Sequence, residues 1–314
     1  MEVQSPRTLQ EAITYFANPD NCVTYMVAKR WPNGVTCTTC GGTKVTYDAT
    51  ARRWQCASHH AKRKFSLKTG TILEDSPLGL DKWLPVVWLV SNCKNGVSSW
   101  EIHRHIGVTQ KTAWFMLQRA RLALQGKNGG KLSGEIEADE SFIGGKARNM
   151  HAHKRAEKIR GRGPDGKAIV AAVLERGGEI RAQVMKTRRK ADLHELVRGN
   201  VEAGSSVYTD ALKSYEGLDE YTHQVVDHAE KYVDGVVHTN GCENFWSLLK
   251  RSIKGTYVRV EPFHLFRYVD EQAFRYNNRK EMNDGERFEM AVSQIVGKRL
   301  TYKELTGHQN DEPF

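Results

Sequence analysis

The chain has 314 residues, enough for two or three domains with proper cores. Its 39% hydrophobic and 27% charged residues describe a globular protein, and no run of about 18 apolar residues exists to cross a membrane. The net charge of +10 is uneven: residues 1–130 hold 17 Lys and Arg against 8 Asp and Glu, as expected of a part that holds a polyanion. The N-terminal stretch lacks a basic start followed by an apolar run, so no secretory signal is expected and the cytoplasm, in association with the nucleoid, is the expected compartment. Six clustered cysteines point to metal binding, not to a disulfide scaffold.

Residues 8–30 read as one or two short helices broken at Asn18-Pro19-Asp20, forming an N-terminal helical segment over 1–30. Residues 31–72 read as a zinc ribbon. Cys37 and Cys40, followed by Gly41 and Gly42, have the spacing at which two thiolates bind one ion while glycines let backbone amides turn toward sulfur. After a strand-like stretch over 44–54, Cys56 supplies the third ligand. His59 is chosen as the fourth because it keeps the two-residue spacing, with His60 left open. Four ligands closing a tetrahedron make a structural site. Cys22, Cys93 and Cys242 lack such partners and read as small buried residues. Lys62, Arg63 and Lys64 run into Phe65 and several hydroxyls, a composition suited to phosphate contacts.

Residues 80–125 read as a helix-turn-helix module. An apolar helix over 81–92 tolerates Pro85 if it sits in the first turn. A short helix capped by Ser98, with Glu101 three residues on, meets a tight turn at Gly107, and a second helix starts at Thr109. In this motif the start of the second helix enters the major groove, which directs Thr109, Gln110 and Lys111, with Trp114, toward double-stranded DNA. Residues 126–131, with three glycines and no apolar residue, read as a flexible linker.

A strand over 134–145 carries Asp139 and Glu140. Neighbouring strand residues point to opposite faces, so Glu137 and Asp139 share a face and Glu140 does not. Residues 146–167 hold eight Lys and Arg and two Asp and Glu without periodicity, and read as a long mobile basic loop beside the site. Strands over 167–174 and 179–185, a helix over 190–198, a strand over 206–210 ending in Asp210, a helix start over 211–215 and a strand over 222–226 follow. From Asn240 the chain reads as a helix with two faces. Cys242, Phe245, Trp246 and Leu249 form an apolar stripe, while Asn240, Glu243, Ser247 and Lys250 share the other face. If the sheet gathers Asp139, Asp210 and Glu243, they can hold two Mg2+ or Mn2+ ions about 3.5–4 Å apart for in-line phosphoryl displacement.

This order resembles the ribonuclease-H-like core of DDE-type transposases. With the Cys-x-x-Cys ribbon, the stretch DESFIGGK from Asp139, YTDALKSY around Asp210 and HTNGCENFWSLLKR from His238, the chain looks like an insertion-sequence transposase group with an N-terminal zinc ribbon and helix-turn-helix. The resemblance covers roughly residues 30–280. It implies a multidomain α+β and α/β fold, with a mixed-sheet catalytic domain over 134–282. Asp139 and Asp210 match the two family aspartates. Glu243, 33 residues past Asp210 and seven before Lys250, fits the third position, with Asn240 as the alternative because the group uses either Asn or Glu there. Lys250 is expected to orient a phosphate or a flanking base. The ribbon departs from the family in having a histidine where a fourth cysteine is usual. The implied activity is recognition of terminal inverted repeats, metal-dependent strand cleavage, and strand transfer into target DNA by a homodimer or higher assembly. The alternatives are a nuclease that does not join and a regulator with an inactive core.

Beyond the core, an amphipathic helix over 263–277 is expected to close the catalytic domain. Residues 283–314 read as a tail with one helix around 288–296 and a mobile polar end.

Overall fold

A computed structural model describes residues 5–126, 129–145, 147–159, 166–226 and 238–307. The chain divides into two units, residues 1–126 with 278–314, and residues 127–277.

In the first unit, Thr8 and Glu11 form a reciprocal cap that starts α1 (Leu9–Phe16). Asn18 caps α2 (Pro19–Arg30), whose first residue is the proline expected to break the segment. The ribbon is a three-stranded antiparallel sheet of β1 (Val45–Asp48), β2 (Arg53–Cys56) and β3 (Lys64–Phe65). Trp54 of β2 stacks on Phe65 of β3 with ring centroids 6.0 Å apart. In α3 (Leu80–Asn92), Pro85 is the sixth helical residue, beyond the first turn where the sequence placed it. The helix tolerates it there because Trp83, Leu84, Val86, Val87, Trp88 and Val90 are all buried, and that burial outweighs one missing backbone bond.

Helices α4 (Ser99–Ile106) and α5 (Gln110–Ala123) form the expected pair. Ser98 and Glu101 make the reciprocal cap, Gly107 turns the chain at φ 63°, and Thr109 accepts from the Thr112 amide.

The C-terminal segment is not a tail. Asn283 and Glu286 cap α10 (Asp284–Ser293), whose Phe288 is fully buried against Phe16, Tyr25 and Trp88 with centroids 5.7, 5.9 and 5.1 Å away. The Arg119 Nε donates to the Leu300 carbonyl at 3.0 Å, and α11 (Tyr302–Thr306) follows. The polar end expected to be mobile, residues 310–314, lies outside the described residues. Replacing Phe288 by Ala is therefore expected to destabilise this unit by about 3–5 kcal/mol, as for a fully buried aromatic. Equilibrium denaturation measures it, and a change below about 1 kcal/mol would mean that the segment is dispensable.

The second unit is built on a five-stranded sheet in the order β6-β5-β4-β7-β8. β4 (Glu135–Ile143) is central, antiparallel to β5 (Ala168–Glu175) and parallel to β7 (Ser206–Asp210). β6 (Ile180–Met185) flanks β5, and β8 (Thr222–Val226) runs parallel to β7. Strand alternation sorts β4 into two cores. Ile136 and Ala138 pack with Leu193, Leu196 and Val197 of α7 (Lys190–Asn200). The other face, formed with Val170, Ala172 and Leu174 of β5, packs on α8 (Asn240–Ser252) and α9 (Leu265–Asn277). This is the ribonuclease-H-like mixed sheet that the sequence resemblance implied, in a multidomain α+β chain.

Local differences have local causes. The helix expected after Asp210 is only a 3-10 turn, Lys213–Tyr215, which buries Tyr215 beneath the sheet. The basic stretch 146–167 contains a 3-10 turn, Ala147–Asn149, and a short helix, α6 (Ala152–Lys158), where a loop without regular structure was expected; residues 146 and 160–165 lie outside the described residues. In the expected linker, residues 127 and 128 are also outside, while the Leu132 amide donates to the Asn200 carbonyl at 2.8 Å and so joins α7.

Candidate functional site

The β4–β7 ladder ends at the pair Glu137 and Tyr208. Two residues further along each strand come Asp139 and Asp210, beyond the end of that ladder but still held by the outer neighbours, Asp139 opposite Ala172 of β5 and Asp210 opposite Val226 of β8. Asp139 accepts at both oxygens, from the Glu140 amide and from the Trp246 indole N–H, each at 2.8 Å. Burial pushes its pKa up to about 6, and the nearby charges of Asp210 and Glu243 add to the rise against these hydrogen bonds. Asp210 accepts from the Leu212 amide at 3.1 Å, which starts the turn after β7.

Glu243 and the residues that share its face behave as the helical spacing dictates. Asn240, Glu243, Ser247 and Lys250 are exposed, while Cys242, Phe245, Trp246 and Leu249 are buried. Glu140 faces the other side of the sheet, as strand alternation expects, toward Tyr215 in the core under α7, yet the charges of Asp210 and Asp139 still reach it. Burial pushes its pKa up to about 7, with the charges of Asp210 and Asp139 contributing. The Tyr215 hydroxyl donates to it at 3.1 Å and Arg188 stands 3.8 Å away. Alternation separates neighbours across a sheet, but Asp210, at the end of its strand, lies close to both.

Several carboxylates thus lie near enough to feel one another's charge, two of them raised mainly by burial, and their oxygens are hard donors of the kind that suit Mg2+ or Mn2+. The set is more open than the ribbon's. Among the described residues, only the ribbon brings three or more such ligand atoms within 4.8 Å of one another.

In the ribbon those ligands are Cys37, Cys40, Cys56 and His60. The Cys37 Sγ lies 3.4 Å from His60 Nε2, and the Cys40 and Cys56 sulfurs are 3.6 Å apart. His60 replaces His59 as the fourth ligand; His59 is exposed. The chain leaves β2 at Cys56 and must return to β3 at Lys64, and the fourth residue of that turn, not the third, comes back over the knuckle. Gly42 fits the tight approach, since a Cβ there would stand 3.3 Å from the Cys40 sulfur. A hydrogen bond with His60 is the largest influence lowering the Cys56 thiol's pKa, which favours the thiolate that zinc requires. Three thiolates and an imidazole form a closed structural set. Of the remaining cysteines, Cys22 and Cys242 are buried as expected and Cys93 is half-buried.

The residues assigned to DNA are partly committed elsewhere. Lys62 and Lys64 are exposed, but Arg63 is half-buried and its Nε donates to the Cys56 carbonyl at 3.1 Å. Thr109 and Lys111 are exposed at the start of α5, and the Lys111 ammonium lies 4.9 Å from the Tyr302 ring centroid. Gln110 is half-buried and donates to the Ser99 hydroxyl at 2.8 Å, which fixes α5 against α4. Sequence reasoning also took Trp246 as purely apolar. Its signal was available: a buried indole keeps one N–H that must find an acceptor.

Comparison with known proteins agrees with this arrangement. Residues 131–277 match the ISXO2-like transposase domain, and residues 17–60 match a transposase zinc-ribbon domain. The chain is 29% identical over 253 residues to an uncharacterized protein in transposable element ISH50 of Halobacterium salinarum, covering 76% of this chain and 84% of that one. It is 34% identical over 98 residues to an uncharacterized transposase-like protein of Haemophilus influenzae, covering 30% of this chain and 78% of that one. The chain belongs to the DDE-type insertion-sequence transposases in which a zinc ribbon precedes a ribonuclease-H-like domain.

Proposed function

We propose that the protein binds the terminal inverted repeats of its element and carries out metal-dependent strand cleavage and strand transfer. The observation that supports this reading is that Asp139 is buried, which raises its pKa, and that the charges of Asp210 and Glu243 add to the rise. Asp139, Asp210 and Glu243 would hold Mg2+ or Mn2+, which when bound supplies Lewis-acid stabilisation of the attacking and leaving oxygens. Trp246 orients the Asp139 carboxylate through its indole N–H. Lys250, two turns beyond Glu243 on the same exposed face, is placed to meet a phosphate of DNA passing along α8. Asn240, one turn before Glu243, is the alternative third ligand.

In the other unit, Lys62, Lys64, Thr109 and Lys111 are the side chains best exposed for repeat DNA. Gln110 is proposed to act there by fixing α5, and Arg63 by fixing the ribbon turn. Two element ends must be handled together, so a homodimer or higher assembly on nucleoid DNA is part of the proposal. No helix among the described residues is long and apolar enough to cross a membrane.

The test is cleavage and joining of a labelled element end in Mg2+ by wild type, Asp210→Ala and Glu243→Ala. Wild type is expected to cut and join, and both variants to bind the end and do neither. If Glu243→Ala stays active, Asn240 takes the third position. Cutting without joining would make the protein a nuclease, and binding without cutting would make it a regulator.

A further inference from the structure

Helix α8 begins without a local cap: Thr239 occupies the N-cap position and its side chain makes no capping bond. The second and third amides of the helix, Gly241 and Cys242, donate instead to one oxygen of Glu137, at 2.7 and 3.1 Å. These are the amides that a capping side chain ordinarily takes. The acceptor comes from β4, about a hundred residues earlier in the chain. Glu137 is 1% exposed, and its second oxygen accepts from the Arg176 Nε at 3.1 Å.

Gly241 is the residue that permits this approach. A Cβ there would stand 2.8 Å from the same Glu137 oxygen and 2.2 Å from a Leu174 methyl.

We infer that Glu137 is a positioning residue: together with the Asp139–Trp246 bond it fixes the register of α8 along β4, and so the placement of Glu243 relative to Asp139. The inference rests on the proposed reading of those two acids as partners in one metal site. Its geometric basis is a pair of matched spacings. Glu137 and Asp139 lie two strand residues apart, about 7 Å. Their partners, Cys242 and Trp246, lie four helical residues apart, about 6 Å. The two ties therefore fit together in one register, and Glu243 follows the first of them directly in the chain.

Stability alone does not account for the arrangement. A buried ion pair is about neutral against well-packed apolar residues, and a Ser or Asp at position 239 would cap the helix locally. What a buried charged tie adds is a single allowed register.

The test uses full-length, zinc-loaded protein with Glu137→Gln, which keeps the side chain's shape but loses its charge, and Gly241→Ala, which pushes the helix start away from β4. The Trp246 indole resonance, assigned by its loss in Trp246→Phe, reports the second tie without reference to activity. Both variants are expected to displace that resonance and to require more Mg2+ for half-maximal rate. They are expected to lower kcat by about 10–100-fold, as for a residue that orients a metal ligand, while KM for end DNA stays within about twofold. Variants that lose thermal stability while kcat, Mg2+ requirement and indole resonance stay unchanged would overturn the inference. If wild type proves unable to cleave, the proposed function fails, and the resonance alone decides: displaced, the register role stands; unmoved, it falls.

Discussion

In metal-free protein, Asp139 and Glu140 are together expected to withdraw about 2 kcal/mol from the 127–277 unit between pH 5 and pH 8. His194 and His223, whose pKa values burial lowers, partly offset this, and millimolar Mg2+ is expected to restore the acids' share at pH 8 but not at pH 5. The expectation follows from two raised carboxyls. Asp139 rises from 3.8 to about 6 and Glu140 from 4.5 to about 7, both mainly through burial. A group raised on folding binds its proton more tightly in the folded state. Its contribution is therefore fully present below the unfolded value and lost as pH climbs through the folded one. The window for Asp139 is about pH 4–6 and for Glu140 about pH 4.5–7.

Taken at face value the two shifts give about 4 kcal/mol between pH 5 and pH 8; charge coupling within the cluster and partial solvent access reduce this to about 2. A cation that binds the ionised site stabilises it by mass action. At pH 5 it must first displace a proton from Asp139. The measurement is calorimetric unfolding with and without Mg2+ at the two pH values, with Glu140→Gln as comparison. That variant keeps an acceptor for the Tyr215 hydroxyl and is expected to remove more than half of the pH dependence. A pH response unchanged by Glu140→Gln, or an equal Mg2+ effect at both values, would show that the acids do not form one electrostatic site.

How far the sequence disclosed this site depends on how local each feature is. The two faces of α8 were legible because helical spacing alone sorts Cys242, Phe245, Trp246 and Leu249 from Asn240, Glu243, Ser247 and Lys250. The strands β7 and β8 and the reciprocal cap at Ser98 were legible for the same reason, each being set by a few consecutive residues. Alternation sorted Asp139 toward Trp246 and Glu140 toward Tyr215, but it does not encode how far their charges reach one another. The capping role of Glu137 depends on a helix start about a hundred residues later, which no local pattern encodes. The C-terminal segment was read as a tail because α10 is short and polar on one side. Its place is set by Phe288, whose partners come from α1, α2 and α3. The choice of His59 over His60 failed on a turn path that spacing does not specify.

That last choice carries the largest expected effect on the ribbon. The three strands are only four, four and two residues long, and their buried side chains are few: Trp54, Cys56 and Phe65. A sheet of this size does not hold itself together without a further tie. Zinc bound to a closed set of this kind contributes roughly 10–16 kcal/mol of apparent binding free energy, which becomes folding free energy for the ribbon. His60→Ala is therefore expected to lose bound zinc, unfold β1–β3 and abolish specific binding of element ends. The reason for the binding loss is geometric: Lys62 and Lys64 lie on the short path from His60 into β3 and lose their fixed spacing with it. His59→Ala, altering an exposed side chain, is expected to keep one zinc per chain and near-normal end binding. Metal content and Co2+-substituted absorption, which reads three thiolates and one imidazole, distinguish the variants. Zinc retained by His60→Ala and lost by His59→Ala would return the fourth position to His59. Zinc retained by both would mean that the three thiolates suffice, and the ribbon would then have an open coordination position where a closed structural one is expected.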